Sequence, residues 1–273
     1  MSAPERIAAL AMYDAPAVVA AANDTLWAGL RDRLRTAEIV GVPHRLTRDG
    51  SYADPWLDPR LLLAQTCGFP YVRHLRGRVR LVATPVYGFP GGSGAERRSV
   101  VVVAAGASFA HVADLRGRRA AINDPGSNSG ANLLAALVAP LARDGRFFSS
   151  VTETGGHRES LAAVAAGRAD VAAIDSVTFG LLARHAPEEV AGVRALCETP
   201  GGPGLPLITR GEATDAEVAV LRQALAGVLA EPRFEGARET LGLVGIEVLG
   251  DAEYVVLAQY AADAAALGYR ELA

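Results

Sequence analysis

The sequence predicts an α/β protein of two lobes, and three observations carry that expectation. Apolar strand-like runs alternate with segments of helical period along most of the 273 residues. Two βα series of similar size follow one another, the second running from Arg119 to Glu198. Two continuous apolar runs, Ser99–Ala104 and Leu205–Thr209, flank that second series and are placed to act as crossover strands. The expected division is 1–104 with 205–273 as one discontinuous lobe and 105–204 as the other, each with a largely parallel sheet. A ligand is then expected in the cleft between the lobes, at strand C-terminal ends and helix N-termini.

Taken in order, Ile7–Tyr13 reads as the first strand, and Ala15–Leu34 as an amphipathic helix introduced by Asp14. His44–Thr47 reads as a short strand. Asp58-Pro59 then opens a helix over Arg60–Cys67 with Gly68 as its stop signal, which makes Cys67 a small buried thiol at a helix end. Val79–Thr84 is the third strand and leads to the loop Pro90-Gly91-Gly92-Ser93-Gly94. The second series follows as Arg119–Asn123, a helix from Asn128, Phe148–Glu153, a helix from His157, Val171–Asp175, a helix from Ser176, and Val193–Glu198. The C-terminal third reads as helical over Asp215–Ala230, Phe234–Leu241 and Asp251–Leu267.

Composition excludes several chemistries. All 27 basic residues are arginine, so a Schiff-base lysine, pyridoxal-phosphate attachment and a P-loop lysine are ruled out. The net charge of −3 comes without a basic face, which argues against nucleic acid as a partner. The two cysteines, Cys67 and Cys197, form no CxxC pattern, and the five histidines have no HxxxH or HExxH spacing; neither a metal nor a cofactor is expected. No segment approaches the length of a membrane span. The N-terminal apolar run ends at Tyr13-Asp14, without a cationic leader or cleavage site, so the chain as written is expected in the cytoplasm. A misplaced gene start would make it periplasmic.

The stretch that carries chemistry is Asn123-Asp124-Pro125-Gly126-Ser127-Asn128-Ser129-Gly130, between a short apolar strand and a helix. A helix N-terminus leaves backbone N–H groups unpaired and carries partial positive charge, so it suits an anion. Gly126 and Gly130 let the backbone approach a ligand, and the hydroxyls of Ser127 and Ser129 add donors. The plainer reading is a strand–turn–helix connection with Ser127 or Asn128 as N-cap.

Asp114-Leu115-Arg116-Gly117-Arg118-Arg119 followed by this turn resembles the phosphate/phosphonate-type substrate-binding proteins of ABC transporters. So do Gly155-Gly156-His157-Arg158-Glu159-Ser160-Leu161 and the run Ala166-Gly167-Arg168-Ala169-Asp170-Val171-Ala172-Ala173-Ile174-Asp175-Ser176. The resemblance implies the two-lobed periplasmic-binding-protein type 2 fold, closing on a small oxyanion, and an ABC-transporter permease as partner. Carried residue by residue, it points to Ser127, Asn128, Ser129 and His157 as ligand donors. Asn128 stands where the family often has a second hydroxyl. Asp175, at a strand end, either caps the following helix or accepts a proton from the ligand, as the corresponding acidic residue does in relatives that bind aminoalkyl phosphonates.

Tyr13 and Tyr87, at the ends of the first and third strands, are placed to cover a ligand from the other lobe; Tyr52 and Trp56 are weaker candidates from a loop. The function expected is binding without catalysis. The alternative is a cytoplasmic lyase or hydrolase on the same fold, acting on a small organic acid or phosphorylated metabolite, with Asp175 or His157 as its acid–base group.

Overall fold

A computed structural model describes residues 4–270 and Leu272. Along the chain the strands are β1 (Ile7–Ala9), β2 (Leu61–Gln65), β3 (Val79–Tyr87), β4 (Glu96–Arg97), β5 (Ser99–Ala104) and β6 (Arg119–Ile122). They continue as β7 (Ser150–Glu153), β8 (Val171–Asp175), β9 (Val193–Glu198), β10 (Gly202–Pro203), β11 (Leu207–Arg210) and β12 (Leu243–Glu247). The helices are α1 (Ala17–Thr36), the single turn α2 (Gly68–Pro70), α3 (Leu133–Val138), α4 (His157–Ala165) and α5 (Ser176–His185). The last three are α6 (Asp215–Ala230), α7 (Glu235–Leu241) and α8 (Asp251–Ala266).

The chain forms two compact units, one of residues 1–88 and 204–251, the other of 89–203 and 252–273. This division differs from the expected one at both ends. β5 lies inside the second unit's sheet, hydrogen-bonded to β8 on one side and β9 on the other. The C-terminal helix α8 also belongs there, because Asn132 Nδ2 donates to the Leu257 carbonyl (2.9 Å) and the Tyr260 hydroxyl donates to that of Gly201 (2.8 Å). β11, the other expected crossover, sits inside the first unit's sheet between β2 and β3. Both runs are apolar because each is an interior strand, a property that does not by itself mark a crossover.

In the first unit the strand order is β1-β2-β11-β3-β12, with β1 and β2 parallel and β11 antiparallel to both neighbours. The α1 helix buries Val19, Ala22, Asn23, Trp27, Leu30 and Leu34, a stripe at helical spacing of which Trp27, Leu30 and Leu34 join a core with Leu63, Val82, Leu221, Val228 and Phe234. Residues 61–65, expected in a helix, are a strand with all five side chains buried. Tyr13 lies in a 3-10 turn after β1 instead of ending it, and His44–Thr47 forms no strand.

In the second unit the order is β7-β6-β8-β5-β9, so the sheet is mixed where a largely parallel one was expected. Alternate residues of its central strands feed two cores. Val101, Val103, Val171 and Ala173 pack with Leu134, Val138, Phe147 and Phe148. Val102, Ala172 and Ile174 pack with Leu161, Val164 and Leu182. A sheet covered on both faces explains why these strands read as unbroken apolar runs.

Candidate functional site

Strand direction fixes where the polar groups of the second unit gather. β6, β7 and β8 are parallel, so their C-terminal ends share one sheet edge, and β5 runs the other way to bring Ser99 opposite Asp175. Three helical segments start from that edge: a wide turn at Asn128–Asn132 that continues into α3, then α4 and α5. The structure therefore brings Ser127, Asn128, Ser129, His157 and Asp175 to one edge of one unit. The first three and Asp175 are no more than 6 % exposed.

Each turn residue has one side committed and another open. The Ser127 Oγ accepts from the Gly130 N–H (3.1 Å), so of the two N-cap candidates Ser127 is the one that caps, and its own O–H remains to donate. The Asn128 Oδ1 accepts from Asn132 Nδ2 (3.0 Å), leaving the Asn128 NH2 group as the donor end. Ser129 is held through its backbone, whose carbonyl accepts from Ser99 Oγ (2.9 Å), while its Oγ lies 3.0 Å from His157 Nε2. A Cβ at Gly130 would stand 1.8 Å from Asn123 Oδ1, so a side chain there would displace the Asn123 amide.

His157 is the first residue of α4, whose N-cap Gly156 offers no side chain, so that N-terminus is open. The imidazole is half-buried, with its Nδ1 atom inaccessible and lacking a hydrogen bond of good geometry. Burial pushes its proton affinity below the ordinary histidine range. The Asp175 carboxylate, the Ala173 carbonyl and Glu159 oppose that shift without reversing it. His157 is therefore neutral near pH 7. The neighbouring Arg158 is engaged by Glu189 through two bonds of 2.7 and 2.6 Å and stays out of the site.

The third N-terminus is already occupied. One oxygen of Asp175, Oδ1, accepts from the N–H groups of Val177 (2.9 Å) and Thr178 (3.0 Å), which is the capping alternative for this residue. One uncapped helix start, that of α4, hydroxyl and amide donors and a neutral imidazole thus gather in one region, with the helix-capping carboxylate of Asp175 near enough for the imidazole to feel its charge. Such a set can hold a small oxyanion with neutral donors alone.

A family model for the periplasmic substrate-binding proteins of phosphonate ABC transporters matches residues 55–254. The chain belongs to that family. It is a transport substrate-binding protein of the phosphonate class, and its α/β two-lobed fold agrees with solved structures. A binding protein component of an ABC phosphonate transporter from Pseudomonas aeruginosa aligns with a TM-score of 0.77 at 17% identity, covering 97% of this chain and 88% of that one. PhnD1 from Prochlorococcus marinus, solved with methylphosphonate, gives 0.76 at 14%, covering 95% and 97%. A Xanthomonas citri protein bound to ATP gives 0.67 at 16%, covering 91% and 95%. At these identities the likeness is one of fold. No curated protein matches the sequence.

The remaining candidates lie in the first unit. The rings of Tyr13 and Tyr87 pack edge to face with centroids 5.3 Å apart, and Tyr52 packs on Trp56 in the same manner at 5.5 Å. Cys67 is buried as expected and stands at a helix end, but as the N-cap of the single turn α2 and not as the last residue of a helix over 60–67. Among the described residues no cluster of metal-ligating side chains occurs, and no helix is long and apolar enough to cross a membrane.

Two groups escaped the sequence reading as site residues. Asn123, inside the motif, backs Gly130 with a buried Oδ1 that has no partner. Ser99 secures Ser129 from a strand 30 residues away, and only the pairing of Ser99 with Asp175 reveals it.

The lowered proton affinity of His157 has a measurable consequence for stability. The unfolded chain takes up this proton near the ordinary value of 6.5, and the folded chain only at lower pH. Below 6.5 the unfolded state binds more protons, so the contribution is intact above that pH and is lost as pH falls towards the folded value. His157→Gln is expected to show a shallower loss of urea midpoint between pH 7 and 5 than the parent chain. Parallel midpoints for the two proteins across that range would mean that His157 titrates normally.

Proposed function

We propose that Ser127, Asn128, Ser129 and His157 hold the head group of a small phosphonate or phosphate for delivery to an ABC-transporter permease in the periplasm. The observation that carries this reading is the 3.0 Å contact of Ser129 with a half-buried, neutral His157 at an otherwise open helix start. With Nε2 protonated, His157 donates to Ser129 Oγ, and the serine O–H is turned outward to the anion. Family membership supports the phosphonate class, and the fold of the methylphosphonate-bound PhnD1 agrees with it.

Ser129, His157 and Asp175 also have the residue types of a hydrolytic relay, in which the acid bonds the histidine Nδ1. Here Asp175 spends an oxygen on the α5 cap and Nδ1 lacks such a bond. That supports binding over turnover.

Thermal-shift titration with phosphate, sulfate, methylphosphonate and 2-aminoethylphosphonate tests the reading. A saturating rise with a phosphonate is expected, of the size mass action gives: about 2.7 kcal/mol of added stability at a hundredfold excess over Kd. The absence of a shift with all four anions would remove the head-group assignment.

A further inference from the structure

Asn132 closes the wide turn that begins at Asn128, and it is buried just ahead of the buried Leu133 and Leu134. Packing alone does not call for an asparagine there. Asparagine is a poor helix former, and a buried amide is costly unless its hydrogen bonds are made. The Asn132 NH2 group makes two: Nδ2 donates to the Leu257 carbonyl of α8 (2.9 Å) and to Asn128 Oδ1 (3.0 Å).

These two bonds form a chain with a fixed sense. The ends of an amide have nearly the same shape, so its neighbours decide which end points where. A backbone carbonyl can only accept, and its second lone pair takes this bond beside the helix's own. Leu257 therefore turns the nitrogen of Asn132 towards α8. Turned over, Asn132 would set its oxygen against that carbonyl, acceptor against acceptor. With the nitrogen held in place, Asn128 must present Oδ1 to it, and the Asn128 NH2 group is left facing away. That group makes no hydrogen bond to any described residue.

We propose that Asn132 is a positioning residue for the anion site: through Asn128 it converts the fixed polarity of a carbonyl on α8 into a fixed donor for the head group. Asn128 then matches an ionised oxygen and cannot turn to accept from an O–H or N–H. The effect on a ligand rests on the head-group assignment already made to this turn, whereas the orientation stands on the protein alone.

Neutron diffraction from crystals of the deuterated chain reads the orientation without a ligand. Deuterons are expected on Asn132 Nδ2 towards Leu257 and Asn128, with the Asn128 nitrogen on the side away from Asn132. An Asn128 nitrogen facing Asn132 would overturn the proposal, and this reading of the parent chain decides even where a variant fails to fold. Calorimetric titration with methylphosphonate reads the consequence. Asn132→Leu, branched at the same carbon, frees Asn128 to turn over and is expected to weaken binding roughly two- to tenfold, the worth of one hydrogen bond. In an Asn128→Ala background the same change is expected to add nothing, because no amide is left to orient. A loss of equal size in both backgrounds would mean that Asn132 only supports the turn, and the positioning role would fall while the head-group assignment stood. Equal affinity of the parent and Asn128→Ala would instead remove Asn128 from the head-group site, and the positioning role with it.

Discussion

Replacing Ser127 and Ser129 together with alanine is expected to weaken methylphosphonate binding by about two to four orders of magnitude. In the proposed site each hydroxyl donates to a charged oxygen, and such bonds are worth ~1.5–3 kcal/mol each, so two give at most ~3–6 kcal/mol. The two changes differ in what else they remove. Ser127 also caps the turn by accepting from Gly130, so Ser127→Ala is expected to cost about 1 kcal/mol of stability. Ser129 has no such cap, and its backbone stays tied to Ser99. Ser129→Ala is therefore expected to lower affinity while leaving the denaturation midpoint close to that of the parent. Because the residues are neighbours in one turn, their binding losses are expected to fall short of additive. Isothermal titration of the single and double variants reads all three. Affinity in the double variant equal to the parent's would take the turn out of the site.

Much of this site was legible because its signals are local. A turn of Ser, Asn and Gly between a strand and a helix needs no distant partner to be read; the start at Ser176 follows a strand whose apolar run ends sharply, and the start at His157 follows a Gly-Gly pair. The capping box of Thr214 with Glu217 likewise fixes the start of α6 at Asp215. What escaped depends on partners remote in sequence. Leu61–Gln65 is rich in residues that favour helices, follows an Asp-Pro start signal and precedes a glycine. It is nonetheless a strand, because burial on both faces between β1 and β11 overrides propensity. A continuous apolar run carries no period that separates the two cases.

β12 was missed for the opposite reason. Leu243–Glu247 contains a glycine, is half exposed, and exists as a strand only because it pairs with β3, well over a hundred residues earlier. The role of Asp175 also needed coordinates. Sequence could place it at a strand end before a helix, and both the cap and the ligand roles fit that position. Only the bonds to Val177 and Thr178 show that the cap is made, and only the position of His157 shows where the charge is felt.

Those two duties of Asp175 can be separated by two substitutions. Asp175→Ala removes both the cap and the charge, and is expected to cost about 2 kcal/mol of stability, the upper range for a helix cap. Asp175→Asn keeps an acceptor of the same shape, and asparagine caps as well as aspartate, so its stability is expected to stay within about 0.5 kcal/mol of the parent. The charge shows itself in binding. An anion arriving beside His157 favours the imidazolium, so the bound histidine holds its proton to higher pH than the free one. Binding therefore takes up a proton, and affinity rises as pH falls through that interval. Asp175 stabilises the same imidazolium in the free and the bound protein alike, so removing its charge is expected to move the proton uptake to lower pH. In Asp175→Asn the pH dependence of affinity is expected to shift to lower pH, while affinity at alkaline pH, where His157 is neutral, is expected to rise as the repulsion between carboxylate and anion disappears. Calorimetry in buffers of differing ionisation heat measures the uptake directly, and His157→Gln supplies the baseline for protons exchanged by the ligand. If Asp175→Asn keeps the parent's uptake and pH profile, Asp175 serves the helix alone.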